Sequence, residues 1–158
     1  MLDLRLIEES EEQKKEKKHP SFLTHLSENS QEALYSSAYC SYQKARYEEA
    51  MSLFRLLVTI DPYEKKYWMG LGASSQMHKD YAASLRAYAV SVVLDADDPY
   101  PHIHATESYL ALNNLEEALK ALDMAEERFN SSNVQDPQIK ERLSLVKNIC
   151  ANIHNKKG

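Results

Sequence analysis

The sequence predicts an all-α superhelical solenoid, and three observations carry the prediction. The chain repeats itself: blocks that begin at Gln31, Lys65 and Pro99 follow one another in steps of 34 residues, the length of one helix–turn–helix unit. Apolar residues recur at spacings of three and four, as Ala50, Met51, Leu53, Phe54, Leu57, Val58 and Ile60 in one stretch and Leu85, Tyr88, Ala89, Val92 and Val93 in another. Such spacing gathers them on one helical face. Finally, three glycines and five prolines in 158 residues are few breakers, which favours long helices over strands and tight turns.

The elements follow in order. Residues 1–30 form a lead-in. Leu2, Leu6 and Ile7 predict a short amphipathic helix that runs into Glu8, Glu9, Glu11 and Glu12 and then Lys14, Lys15, Lys17 and Lys18. Glu11–Lys15 attract across one helical turn while Glu12–Glu16 repel, so this tract is expected to be a solvated helix end or disordered. Pro20 breaks it, Phe22, Leu23 and Leu26 form a second apolar patch, and Asn29 followed by Glu32 predicts a cap that opens the first repeat helix.

The three repeats then occupy 31–64, 65–98 and 99–130. The first supplies Leu34, Ala38, Tyr47, Ala50, Phe54 and Pro62 at register positions where the second supplies Trp68, Leu71, Gly72, Tyr81, Ser84 and Tyr88 and the third His102, Thr106, Leu115, Ala118 and Leu122. Gly72, Ala50 and Ala118 allow two helix backbones to approach, and Phe54 and Tyr88 fill the space between neighbouring hairpins. Pro62 stops the helix before it. Ala96 stands where Pro62 would recur, His102 where a large apolar residue is expected, and Ala38 where a glycine is. The period and these positions are those of the tetratricopeptide repeat. Residues 131–158 open with Ser131, Ser132 and Asn133, then Asp136-Pro137 as a helix start. Ile139, Leu143, Val146, Ile149 and Ile153 recur at helical spacing. They predict a C-terminal helix capping the open end of the solenoid, with a frayed tail at Asn155–Gly158.

Composition excludes several functions. The formal charge of −5 and the absence of a basic stripe with interleaved aromatics disfavour nucleic acid. No apolar run is long enough to span a bilayer, so stable membrane insertion is not expected. The start of the chain lacks the pattern of a secretory signal. Cys40 and Cys150 have no motif spacing and are read as buried, reduced thiols. His102 and His104, two apart, point away from each other on a helix and do not make a metal pair. No catalytic triad spacing and no phosphate-cradling glycine loop appear. The sequence therefore predicts a protein without enzymatic activity, metal or cofactor.

In tetratricopeptide repeats the first helix of each hairpin lines the concave surface, and the resemblance implies the same here. The groove set is then Tyr35, Tyr39, Tyr42 and Gln43, followed by Met69, Ala73, Gln76 and Met77, then Ile103, His104, Glu107 and Leu110. The tyrosines, at spacings of four and three, form one stripe. Tyrosine offers an apolar body and a hydroxyl at low entropic cost, and methionine adds adaptable contact. The plainer alternative is that these tyrosines are ordinary core. Repeat proteins that clamp the C-terminal carboxylate of heat-shock chaperones carry lysine, arginine and asparagine on these helices. Tyr35, Tyr39 and His104 occupy those positions here, so a carboxylate would find no paired donors.

Three strings resemble a narrower family. Leu34-Tyr35 with Ala38-Tyr39, Tyr42-Gln43 and Tyr47-Glu48-Glu49-Ala50 is similar to the first repeat of the bacterial type III secretion chaperones for translocator proteins, the class II chaperones. Trp68-Met69-Gly70-Leu71-Gly72-Ala73 and Pro101-His102-Ile103-His104-Ala105 leading to Glu107 are similar to segments of the same family. The resemblance spans about residues 30–130 and implies a non-enzymatic holdase of the bacterial cytoplasm. Its partners would be the hydrophobic translocator proteins of the secretion system, held soluble before export through a short extended segment in the groove. Family members dimerise through their N-terminal region, so a homodimer is also implied. Two rival readings are a general tetratricopeptide-repeat adaptor and an added role as co-regulator of a transcription activator.

Overall fold

A computed structural model describes residues 26–132 and 136–157. The amphipathic start and the charged run of the lead-in lie outside these residues. Seven helices follow one another among the described residues: α1 (Glu28–Gln43), α2 (Tyr47–Ile60), α3 (Lys65–Met77), α4 (Tyr81–Leu94), α5 (Tyr100–Ala111), α6 (Leu115–Ser131) and α7 (Pro137–Lys157). Each packs on its neighbour in the chain, so α1–α2, α3–α4 and α5–α6 are hairpins. The first helices also touch one another, α1 with α3 and α3 with α5, while the second helices do not meet among the described residues. The stack therefore curves with its first helices on the inner side. The structure is the all-α solenoid that the 34-residue period predicts.

The period is written into the backbone. Ala45, Lys79 and Asn113 all have positive φ, at 57°, 67° and 57°, and lie one repeat apart. Each ends the first helix of its hairpin. Arg46 N–H donates to the Ser41 carbonyl, Asp80 N–H to that of Ser75, and Asn114 N–H to that of Tyr109, each at 2.9 Å. These bonds satisfy the last free carbonyls of the helix and set the chain for its return. The second helices are then capped by Asp80, which accepts from Ala83 N–H at 3.0 Å, and Asn114, which accepts from Glu117 N–H at 3.3 Å. At the first helix the cap is Ser27 rather than Asn29. The Ser27 Oγ accepts from Ser30 N–H at 3.2 Å, and Asn29 already lies inside α1. Glu32, expected to close the cap, instead pairs with Lys66 at 3.2 Å.

Two apolar clusters form the core. One joins Ala38, Ala50, Phe54, Leu57 and Tyr67 in the first half. The other joins Ile103, Leu122, Ala125, Ile139, Leu143, Val146 and Cys150 at the C-terminal end. Small side chains line the middle: Ser74, Ser75, Ser84, Ser91, Thr106 and Ser108 are all buried. Most return a hydroxyl bond to their own helix, as Ser74 does to the Gly70 carbonyl at 2.8 Å and Thr106 to that of His102 at 2.8 Å. Ser84 and Ser108 share a hydroxyl–hydroxyl bond of 2.9 Å across α4 and α5. Glycine completes the close approach. A Cβ on Gly72 would stand 2.5 Å from the Tyr88 ring, and one on Gly70 would stand 2.3 Å from Phe54.

The departures from the repeat have physical accounts. His102 is buried, and burial, with Arg128 adding to it, pushes its pKa below the usual imidazole value. A neutral ring thus serves where an apolar one is expected. Asp136 Oδ1 accepts from Gln138 N–H at 2.8 Å and starts α7 with Pro137 as its first residue. The helix runs on through Asn155 and Lys156, where fraying is expected, because no breaker precedes Gly158. Its inward face is Ile139, Leu143, Val146 and Cys150, while Ile149 is 41% exposed. Steps of four, three and four keep one face, and Ile149 falls beside it. Of the cysteines, Cys150 is buried as expected and Cys40 only partly so.

Candidate functional site

The concave side divides into an aromatic half and a polar half. On α1, the Tyr35 ring stacks beside Tyr39 with centroids 6.4 Å apart and planes 15° apart. Tyr35 is anchored from behind by Phe54, edge-on at 6.0 Å, and by Tyr67 at 5.9 Å. Tyr39 is 49% exposed. Tyr35 is thus both core and surface, and Tyr39 is surface. Tyr42 meets Tyr47 edge-on at 5.7 Å, and burial, then Tyr47, raises its pKa against the opposing pull of Arg142. Gln43 is exposed; Met69, Ala73 and Gln76 on α3 are half-buried. The Lys66 ammonium lies 4.8 Å over the Tyr35 ring and 5.5 Å over Tyr67, tethered by Glu32. It closes the edge of the aromatic half.

In the polar half one carboxylate joins four helices. Glu107 on α5 accepts from Arg142 Nε at 2.9 Å through one oxygen. Its other oxygen accepts from Arg142 Nη2 at 2.9 Å and from Gln76 Nε2 at 3.0 Å. Gln76 in turn accepts from the Tyr88 hydroxyl at 2.7 Å. His104 stacks on Tyr88 with centroids 5.2 Å apart, and its Nδ1 lies 3.2 Å from Arg142 Nη2. The same Nδ1 lies 3.5 Å from a Glu107 oxygen. Burial alone would raise the Glu107 pKa, but bonds from His104, Arg142 and Gln76 and the Arg142 charge outweigh it and hold it at about 2.

The predicted groove residues have different surroundings in the structure. Tyr35, Tyr39 and Tyr42 follow one another along α1, and Gln43, Met69 and Ala73 on α1 and α3 are exposed or half-buried. Gln76, His104 and Glu107 are already bonded within the protein. Ile103 does not reach the groove: it is fully buried in the C-terminal cluster, because α7 packs over that part of α5. Lys66, Tyr67 and Arg142 escaped the sequence reading, and Tyr88 entered it only as a residue packed between hairpins. Lys66 stands one repeat after Glu32, and a search for opposite charges at that interval would have found it. Arg142 lies on a helix outside the repeat register and left no such signal. Among the described residues no three His, Cys, Asp or Glu side chains cluster to hold a metal ion, and no helix is long and apolar enough to cross a membrane.

The tetratricopeptide repeat family matches residues 31–64 and 66–98, the first two of the three predicted repeats. Low calcium response locus protein H of Yersinia pseudotuberculosis is 31% identical over 137 residues, covering 87% of this chain and 79% of that protein. The Yersinia enterocolitica type III secretion chaperone SycD, solved in complex with a peptide of the translocator YopD, superimposes with a TM-score of 0.75 at 31% identity. That match covers 85% of this chain and 99% of SycD. PcrH of Pseudomonas aeruginosa, solved with the chaperone-binding region of PopD, gives a TM-score of 0.74 at 25% identity over 85% of this chain and 98% of that one.

Proposed function

Because this chain belongs to the tetratricopeptide-repeat chaperones of type III secretion translocators, we propose that it holds an extended, apolar segment of a hydrophobic translocator protein in its concave groove. It keeps that client soluble and fit for export, in the bacterial cytoplasm and without catalysis. The organisation this uses is a lead-in (1–30) that would serve a homodimer, repeats at 31–64, 65–98 and 99–130, and a terminal helix within 131–158. The observation that carries the reading is the Tyr35–Tyr39 stack, one ring anchored in the core and the other 49% exposed on the concave helix. A rigid aromatic floor offers apolar area worth roughly 25 cal/mol per Å2 before association costs, and its preformed shape limits the ordering cost to the peptide.

Co-expression with a translocator tests this. An otherwise insoluble translocator is expected to be recovered in the soluble fraction as a complex. Tyr39→Ala is the cleaner variant, since Tyr35 also packs on Phe54 and Tyr67. Tyr39→Ala should lower the soluble yield severalfold, and Tyr35→Ala with Tyr39→Ala should abolish it while circular dichroism reports a retained helical fold. Full solubilisation by a folded double variant would refute the groove.

A further inference from the structure

Resting on the groove reading above, we propose that Arg142 contacts the bound segment directly, its Nη1 amino group donating to a backbone carbonyl of the extended chain. The guanidinium is planar, and its Nε and Nη2 edge is spent on Glu107 at 2.9 Å each, with Nη2 also near His104 Nδ1. Nη1 has no partner among the described residues, and the side chain is 38% exposed. A bidentate grip fixes the plane, so the direction of the free N–H groups is fixed with it. The charges of Arg142 and Glu107 both act on the Tyr42 phenol of α1.

The chemistry selects the acceptor. An extended segment laid on a tyrosine and methionine floor loses water from its carbonyls, and each buried carbonyl without a donor is costly. In the polar half, Glu107 can only accept, and Gln76 already bonds Glu107 and Tyr88. Arg142 is the cation there, but Glu107 cancels its charge. A ligand carboxylate would meet Glu107 as well as Arg142, whereas a neutral carbonyl needs only the N–H. The arrangement thus suits a peptide backbone rather than an acidic side chain.

The YopD peptide that SycD binds serves as the probe, its affinity for the full chain read by fluorescence anisotropy. Arg142→Lys keeps a cation beside Glu107 but cannot hold it and present a second fork. It is expected to weaken binding about tenfold with little change in the thermal midpoint. Replacing peptide amides one at a time by esters weakens single carbonyls as acceptors. One ester position should weaken binding to the native chain and have no further effect on Arg142→Ala. If the native chain binds the peptide and Arg142→Lys binds equally well, or no ester position couples to Arg142, the assignment fails and the groove stands. If the native chain does not bind the peptide, the groove reading falls and this assignment with it.

Discussion

Glu107 concentrates the polar energetics of the concave side in one carboxylate. Its pKa falls from 4.5 to about 2 on folding, and the side chain is only 25% exposed. A depressed carboxylate stabilises the fold fully above its unfolded value and loses that contribution as pH falls through the folded one. The contribution is on the order of 3 kcal/mol, and acid titration of stability should show its loss between about pH 4.5 and 2. Glu107→Gln should flatten that part of the curve in denaturant melts taken at successive pH values. Gly72 makes a second residue-scale case. Its missing Cβ would lie 2.5 Å from the Tyr88 ring, and that ring is 1% exposed and bonded through its hydroxyl to Gln76. Tyr88 cannot swing aside, so Gly72→Ala should cost about 1–3 kcal/mol by chemical denaturation. The Gly72 approach was legible in the sequence because a small residue recurs opposite a large one. The Glu107 hub was not, since its partner Arg142 lies on a helix with no place in the period.

The hairpin turn is the element that the period describes most faithfully. Ala45, Lys79 and Asn113 share the left-handed conformation, and only asparagine among them takes it readily. Relieving Ala45 by Ala45→Gly removes a steric cost of about 1–2 kcal/mol against an entropic penalty of about 0.5–1 kcal/mol. A net gain of up to about 1.5 kcal/mol is expected, visible as a raised thermal midpoint; Asn113→Gly should change little. These turns were not readable as left-handed from Ala45 or Lys79, whose side chains carry no preference for it. What the sequence displayed was the spacing, because burial repeats with the hairpin. Caps were less legible. Ser27 and Asn29 are both good capping residues two positions apart, and local chemistry alone does not choose between them. The tyrosine stripe was readable for the same reason as the core: Tyr35, Tyr39 and Tyr42 follow helical spacing on α1. Ile103 follows it too, but α7 covers it, and that docking is a tertiary event without a local mark.

As a whole the molecule is a one-dimensional stack in which each helix meets only near neighbours in the chain. Its two apolar clusters lie at opposite ends, separated by the serine-rich middle. Stability in such an array is the sum of unit and interface contributions, and its ends open first. The α7 helix supplies Ile139, Leu143, Val146 and Cys150 to the C-terminal cluster, more than half of its buried members. It also supplies Arg142, which ties Glu107 and through it Gln76 on α3. Removing residues 133–158 should therefore expose Ile103, Leu122 and Ala125 and free Glu107 from its cation. Hydrogen exchange read by mass spectrometry should find α5 and α6 unprotected in the shortened chain. The hairpin of α1 and α2, whose cluster around Phe54 and Leu57 receives nothing from α7, should keep most of its protection. The α3–α4 hairpin should fall between, having lost the Glu107 tether but not its packing on Phe54. Equal loss of protection from Glu28 to Ser131 would mean that the stack melts as one cooperative unit, and the two clusters would then have to be treated as a single core.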